Sequence, residues 1–82
     1  ERGGTVKQLI EYIAQSLVSE PEHVQVIERG GNHVRIELRV VRDDMGRVIG
    51  KDGRVANAMR ALLRVRAARE GKQVTLDVME PR

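Results

Sequence analysis

Two glycines three residues apart, Gly50 and Gly53, interrupt a stretch whose apolar residues otherwise keep helical spacing. Glycine accepts backbone conformations that other residues avoid, so the four residues from Gly50 to Gly53, the glycine loop, predict a tight connection between two helices. The first helix is a short one within residues 43–49. The second runs over residues 54–70, with Gly71 as a natural C-cap. The loop therefore holds two helices close together, and the other elements must be arranged around that pair.

Three other segments carry apolar residues at every second position, which predicts β-strands. Residues 23–29 and 33–41 are separated by a Gly-Gly-Asn sequence that favours a hairpin turn, and residues 73–78 form the last strand. Residues 5–19 instead have apolar residues at helical spacing, and Thr5 opens a capping-box pattern at the start of that helix.

The predicted order of elements is α-β-β-α-α-β, an α+β fold. The hairpin makes the first two strands antiparallel, whereas the helical crossover into the third strand suits parallel pairing. We therefore expect a three-stranded mixed sheet with the helices on one face and the other face exposed. The domain is predicted to cover residues 5–79, with a disordered N-terminal tail at residues 1–4 and a C-terminal tail at residues 80–82.

Side-chain spacing also predicts which residues enter the core. In the long helix one apolar stripe should face the sheet, with Arg60 and Arg64 opposite it. That stripe consists of Val55, Ala58, Met59, Leu62 and Val65. Tyr12 is expected to pack against the sheet, and Asp43 and Asp44 are expected to cap the short helix.

The basic residues are concentrated in one part of the chain. The whole sequence has 15 Lys and Arg against 12 Asp and Glu, a net charge of +3, but residues 42–72 hold nine basic and four acidic residues, a net charge of +5. Such a segment indicates either a footprint for a polyanion or a solvated helical face.

Composition argues against several other classes of site. The chain has no cysteine and two histidines, which disfavours disulfides and an ordinary zinc site, and a single aromatic residue disfavours a base-stacking platform. Met45 and Asp52 replace a glycine and a hydroxyl residue that a P-loop needs. We therefore expect a non-enzyme without cofactor or metal. No apolar stretch approaches the length of a membrane span, so a cytoplasmic protein is expected.

The glycine loop has the features of an anion site. The helix that follows it presents N-terminal amide groups and the positive end of its dipole. Lys51 at the loop tip, with Arg47 and Arg54 beside it, adds three cations. A phosphodiester backbone across the loop would be held by amides and charge, with its bases turned towards Val48, Ile49 and the second strand.

The sequence from Val48 to Arg54 resembles the signature of the KH domain, in which a G-x-x-G loop joins two helices and clamps about four nucleotides of a single strand. The element order resembles the type II form of that fold. Residues 46–63 and the single-domain length look closest to the small bacterial RNA-binding KH proteins of the KhpA family. The resemblance covers roughly residues 5–79 and implies a single-stranded RNA-binding protein, either an RNA chaperone or a post-transcriptional regulator.

The resemblance also implies roles for individual positions. The glycines supply the loop geometry, the polar residues between and after them face the RNA backbone, and the flanking aliphatic residues border the base groove. The implied RNA-binding residues are Arg47, Val48, Ile49, Gly50, Lys51, Asp52, Gly53, Arg54 and Val55. Asp52 departs from the usual basic or polar preference, so affinity is expected to depend on Arg47, Arg54 and the helix dipole, with weak binding and a modest salt dependence.

Partners follow from the same resemblance: single-stranded RNA, a larger KH-containing protein of the Jag (KhpB) type, and a second copy in a homodimer. A competing hypothesis is an interaction module that pairs with another KH protein and contacts RNA only secondarily. A ribosome-assembly factor would share the chemistry and differ in its target. The Arg60 and Arg64 row is interpreted as a solvated or partner-facing surface in preference to an RNA surface, because it is predicted to point away from the core.

Overall fold

Three helices and a three-stranded sheet form in the predicted order. The computed structural model describes residues 6–80. Its elements are α1 (Val6–Leu17), β1 (Gln25–Arg29), β2 (His33–Arg39), α2 (Met45–Ile49), α3 (Arg54–Arg69) and β3 (Gln73–Met79). Thr5 and residues 1–4 and 81–82 of the predicted tails lie outside the described residues. Between residues 6 and 80, no helix combines the length and apolar character needed to cross a bilayer.

The sheet has the predicted mixed topology. Its strand order is β1-β2-β3, with β1 antiparallel and β3 parallel to the central strand β2. The hairpin between β1 and β2 requires glycine at position 30, because the φ angle there is +102° and a β-carbon would overlap the carbonyl group of His33. The α2–α3 pair then forms the crossover that brings β3 parallel to β2.

One face of the sheet carries the core. Opposite residues such as Val26 and Leu38, or Ile36 and Leu76, bring apolar side chains together across neighbouring strands. Helices α1, α2 and α3 cover this face with buried Ile10, Ala14, Val48, Met59 and Leu63. Complete burial of one such leucine or isoleucine contributes about 1.5–3 kcal/mol, so this layer holds the three helices in place.

Helix α3 turns a different face to the sheet from the one predicted. Its buried residues are Ala56, Met59, Leu63 and Ala67, whereas Leu62 and Val65 are 50% and 59% exposed. The predicted stripe was wrong because α3 has apolar residues on most of its sides, and the buried side includes alanines that allow close approach to the sheet. The expectation for Tyr12 was also wrong, since it is 72% exposed.

The outer face of the sheet, which was expected to be exposed, carries charged side chains, but one of its arginines is buried. Arg39 is only 6% exposed. It donates one hydrogen bond to the Glu37 carboxylate (3.0 Å) and one to the Glu80 carbonyl (3.3 Å). The hydrogen bond from Arg39, with the positive charge of Arg29, lowers the pKa of Glu37. The outer face is therefore held by paired charges and is not simply solvated.

Asp44 is a buried connection between the end of α1 and the start of α2. Its carboxylate accepts hydrogen bonds from the Ser19 N–H (3.0 Å), the Ser19 hydroxyl (2.9 Å) and the Glu20 N–H (3.3 Å), and pairs with Arg47 at 3.1 Å. The Ser19 N–H is the main cause of a lowered Asp44 pKa. Asp44 is the residue immediately before α2, at the N-cap position, but its side chain makes no capping hydrogen bond there, so the predicted capping role was wrong for this residue.

We expect replacement of Asp44 by asparagine to destabilise the fold at neutral pH, because the amide loses the charge that the donors around it stabilise. A carboxylate with a lowered folded-state pKa contributes its full stability above the ordinary aspartate pKa of about 3.9, and loses that contribution as pH falls through the folded-state value. The difference between wild type and Asp44→Asn in urea unfolding should therefore shrink as pH falls below about 4.

The exposed neighbour provides a matched control. Asp43→Asn removes the same charge one residue away. It should leave the free energy of unfolding nearly unchanged both at neutral pH and at a pH below about 4. An Asp44→Asn effect of equal size at neutral and strongly acidic pH would contradict the ionic role of Asp44.

Candidate nucleic-acid interface

The glycine loop joins α2 to α3 in a conformation that requires glycine at position 50. The φ angle of Gly50 is +78°, and a β-carbon there would lie 2.5 Å from Cγ2 and 2.9 Å from the backbone nitrogen of Val55. Gly53 also has a positive φ angle, +75°, but the nearest side-chain atom, Nδ2 of Asn57, is 3.7 Å from the place of a β-carbon. Position 50 thus requires glycine both because a β-carbon would clash with Val55 and because its φ angle is positive. Position 53 favours glycine because of its φ angle alone.

The N-terminal end of α3 faces this loop. No side chain caps it and its first turn contains no acidic residue, so the positive end of the helix dipole has no carboxylate of its own. Two of the local amides are already engaged, since the N–H of Gly53 donates to the Gly50 carbonyl at 3.1 Å and that of Arg54 donates to the Lys51 carbonyl. The charges of the loop side chains therefore contribute more to anion binding at this loop, relative to the backbone amides, than the sequence predicts.

The charged residues in and beside the loop differ in whether another side chain of the protein forms an ion pair with them. Lys51, Asp52 and Arg54 are exposed, and within residues 6–80 neither Lys51 nor Arg54 forms an ion pair. Arg47 is also exposed, but its guanidinium is 3.1 Å from the buried Asp44 carboxylate. The charge of Arg47 is thus partly compensated, and Lys51 and Arg54 are the cations that an anion on the loop would meet first.

The three predicted aliphatic residues do not share one surface. Val48 is completely buried in the core, so it supports α2 from below and offers no surface to a ligand. Ile49 and Val55 are half-buried on either side of the loop. These two residues can border a ligand that lies across the loop.

A groove runs between α3 and β3. It consists of two adjoining depressions of about 350 and 290 Å³, which share Arg64, Val74 and Thr75. Strand β3 lies at the edge of the sheet and β2 at its centre, so the third strand borders this groove. The expectation that bases turn towards the second strand does not fit this topology. The other residues that line the groove are His33, Arg60, Ala67, Lys72, Gln73, Leu76 and Asp77.

Arg60 connects α3 to β3 inside this groove. Its Nε and Nη2 atoms donate to the Leu76 carbonyl at 3.2 and 3.1 Å, and its Nη1 donates to Oδ1 of Asn57 at 3.0 Å. Gly53, Asn57, Arg60 and Arg64 follow one another at spacings of four, three and four residues, which places them along one side of α3. The prediction that the arginine row points away from the core was wrong for Arg60, which is half-buried against β3. If Ala56, Met59, Leu63 and Ala67 had been identified as the buried side of α3, helical spacing would have placed Arg60 beside the sheet.

A larger depression of about 510 Å³ lies on the outer face of the sheet. Its lining includes Arg29 and Arg39, but Glu37 pairs with both arginines at 3.5 and 3.0 Å, and Glu22 also lines the depression. Positive and negative charges balance there. The groove beside α3 is lined by Arg60, Arg64 and Lys72 against the single carboxylate of Asp77, and of these three cations only Lys72 has an ion-pair partner within residues 6–80, Glu70 at 3.8 Å. Positive charge is in excess there, so this groove is the better candidate for a polyanion.

Comparison with known sequences identifies close relatives over nearly the whole chain. Residues 7–78 match the family model described as KhpA/KhpB, KH domain. The RNA-binding protein KhpA of Clostridium acetobutylicum is 45% identical over 75 residues, covering 90% of this chain and 100% of the relative. The proteins of the same name from Halalkalibacterium halodurans and Chlamydia trachomatis are 43% and 41% identical, covering 92% and 94% of this chain and 100% of each relative.

A similar fold is present among solved structures. The crystal structure of Era in complex with MgGDPNP and nucleotides 1506–1542 of 16S ribosomal RNA matches with a TM-score of 0.55 and 22% sequence identity. The match covers 92% of this chain and 29% of the Era chain, and it supports the fold. Because the family match extends across the helices and strands around the glycine loop, and the relatives align over their full length, this chain belongs to the KhpA/KhpB family of KH-domain proteins.

Proposed function

We propose that this protein binds single-stranded RNA, with the sugar-phosphate backbone across the glycine loop and the bases along the groove between α3 and β3. The observation that carries this proposal is the continuity of the two surfaces. The side of α3 that starts at Gly53 continues through Asn57 and Arg60 to Arg64, which lines the groove. An extended strand can therefore contact loop and groove at once.

The shape of the surface favours a single strand. KH loops hold about four nucleotides, and unpaired bases expose edges that a narrow groove can contact. The groove walls here are a helix and an open strand edge, with Val74 half-buried between them. No aromatic platform is needed for this mode, because amides, charge and aliphatic walls provide the contacts.

The relatives agree with this assignment. Those from three bacteria carry the description RNA-binding protein. We propose the same for this chain, as an RNA chaperone or a post-transcriptional regulator that acts by binding and not by catalysis. A ribosome-assembly role would use the same surface on a different RNA.

Few unpaired cations face the loop, so binding should be weak and only moderately salt-dependent. Lys51 and Arg54 are uncompensated among the described residues, and Arg47 shares its charge with Asp44. For single strands the slope of log K against log salt is about −0.7 per phosphate contact, so two to three contacts give a slope of roughly −1.5 to −2.

Reversing the charge at the loop tip should weaken binding. We expect Lys51→Asp to raise the Kd for a short single-stranded RNA roughly tenfold at low salt and to make the salt slope shallower by about 0.7. Asp52→Lys should have the opposite effect, because it removes the one carboxylate beside the phosphate path. Filter-binding or fluorescence titrations over a range of salt concentrations measure both quantities.

Lys7→Asp is the matched control. Lys7 is exposed near the start of α1, next to Val6, which borders a cavity with Ala67 and Glu70 at the far end of α3 from the loop. This variant makes the same charge change and should bind RNA nearly as wild type does. Equal Kd values for all three variants and wild type would contradict the assignment of the loop.

A second candidate function is pairing with another KH chain, and the outer face of α3 favours it. This face consists of exposed Ala58, Ala61, Leu62, Val65 and Ala68. Its alanines allow another helix to approach closely, and its five members lie on successive turns of one side of α3, so they form one contiguous apolar strip and not scattered surface residues. We propose that a second copy of this chain packs here. A larger KH-containing partner of the Jag (KhpB) type would use the same face.

Dimerisation through α3 leaves the RNA groove free, since Arg60 and Arg64 lie on a neighbouring side of the helix. Two linked modules would then hold one RNA with higher avidity than a single module. The contact of one helix face is small, so the dimer should be weak and dependent on concentration.

We expect wild-type protein to associate reversibly in sedimentation equilibrium and Leu62→Glu to remain monomeric, because the carboxylate would be buried in the interface. Tyr12→Glu is the control, since Tyr12 is an exposed apolar residue on α1 and its replacement should leave association unchanged. A wild-type protein that stays monomeric at high concentration, or a Leu62→Glu variant that associates as wild type does, would contradict the proposed interface.

A further inference from the structure

Arg60 is held more rigidly than the other basic residues of the RNA surface. Three hydrogen bonds fix its guanidinium plane, two to the Leu76 carbonyl and one to Oδ1 of Asn57. Lys51, Arg54 and Arg64 are exposed, whereas Arg60 is half-buried. A mobile surface cation contributes mainly charge. A fixed planar guanidinium also presents hydrogen-bond donors in a defined direction.

The hydrogen bonds of Arg60 leave part of its donor capacity for a ligand. A guanidinium has five N–H groups, and the contacts with residues 6–80 use one each on Nε, Nη1 and Nη2. One N–H therefore remains on each terminal nitrogen. We take these two N–H groups to be the parallel pair at the end of the guanidinium, which matches two adjacent acceptors on a planar partner.

The position of Arg60 places these donors where a base would lie. Arg60 follows Gly53 by seven residues, about 10 Å along the helix, within reach of the few nucleotides that a KH loop holds. It lines the groove with Thr75 and Asp77. Because Arg60 already covers the Leu76 carbonyl, an added β-strand could not pair continuously with the β3 edge. A base that approaches from the groove meets the guanidinium instead.

We propose that Arg60 is the base-reading residue of this protein, and that it selects a base edge with two adjacent acceptors. Guanine, through O6 and N7, is the best match to a planar guanidinium. Cytosine offers O2 and N3 with the same acceptor pattern, whereas adenine and uracil lack an adjacent acceptor pair. This inference rests on the proposed RNA-binding function and gives it a sequence preference.

The test compares short oligouridine strands that carry one central test base: guanine, 7-deazaguanine, cytosine, adenine or uracil. The 7-deaza base lacks the N7 acceptor and leaves the Watson–Crick edge intact. For wild-type protein we expect the guanine strand to bind roughly tenfold more tightly than the uracil strand, and 7-deazaguanine to remove most of that advantage. This comparison alters the RNA alone, so the fold of the protein is the same throughout.

The protein-side variant is Arg60→Lys, which keeps the positive charge and loses the planar pair of donors. Its affinity for the guanine strand should fall to its own affinity for the all-uracil strand, so that the preference for guanine disappears whatever the overall affinity of the variant. Arg29→Lys, on the outer face of the sheet, is the matched control and should keep the wild-type preference. Thermal melts monitored by circular dichroism verify that each variant is folded.

The outcomes separate this inference from the function on which it rests. A cytosine preference in wild type that Arg60→Lys abolishes would support Arg60 as the reader and assign the O2 and N3 edge. Equal binding of all five strands by wild type, or a preference that Arg60→Lys retains, would overturn the inference and leave RNA binding intact. Failure of wild type to bind any of the strands would overturn the proposed function itself, and this inference with it.

Discussion

The contact between Gly50 and Val55 is the constraint on which the proposed RNA surface depends. A β-carbon on Gly50 would overlap both the side chain and the backbone nitrogen of Val55, so only glycine lets the end of α2 meet the start of α3 this closely. That approach sets the direction in which α3 leaves the loop. Since α3 then packs on the sheet through Met59 and Leu63, the same contact also sets which side of the helix faces β3. Loop, helix and groove form one continuous surface for this reason.

Charged residues serve two separate purposes in this small domain. Asp44 and Arg39 are buried and paired, and they connect chain segments that a core of this size holds only weakly. Lys51 and Arg54 remain exposed without an ion-pair partner in the described chain, and so are available to phosphate. Arg47 belongs to both groups, because it is exposed yet tied to Asp44. A net charge of only +3 is therefore compatible with a local surface that attracts a polyanion.

Much of this arrangement could be predicted from the sequence, because it depends on local rules. Each local pattern determines the structure of the residues next to it. These patterns are the alternation of apolar residues in β2 and β3, the glycines of the hairpin and the loop, and Gly71 after α3. Together they predict the element order and the mixed sheet. The face of α3 could not be predicted in this way. Leu62 and Val65 are as apolar as Met59 and Leu63, and the choice between them depends on how closely small residues such as Ala56 let the helix approach the sheet. That error concealed the position of Arg60 in the groove and the exposed face beside it. Burial of Asp44 and Arg39 likewise depends on partners distant in sequence, in the loop after α1 and beyond β3. The spacing of apolar residues along the chain does not predict such contacts.

On the proposed surface, RNA lies across the glycine loop and along the α3–β3 groove. The most direct measurement is an NMR titration of the ¹⁵N-labelled protein with a short single-stranded RNA, in which each backbone amide reports on its own surroundings. We expect the largest chemical-shift changes at residues 50–57 and 72–77, with little change along β1 on the outer side of the sheet. Chemical-shift changes concentrated around Gln25, Ile27 and Arg29, with the shifts of the loop amides unchanged, would contradict the proposed RNA surface.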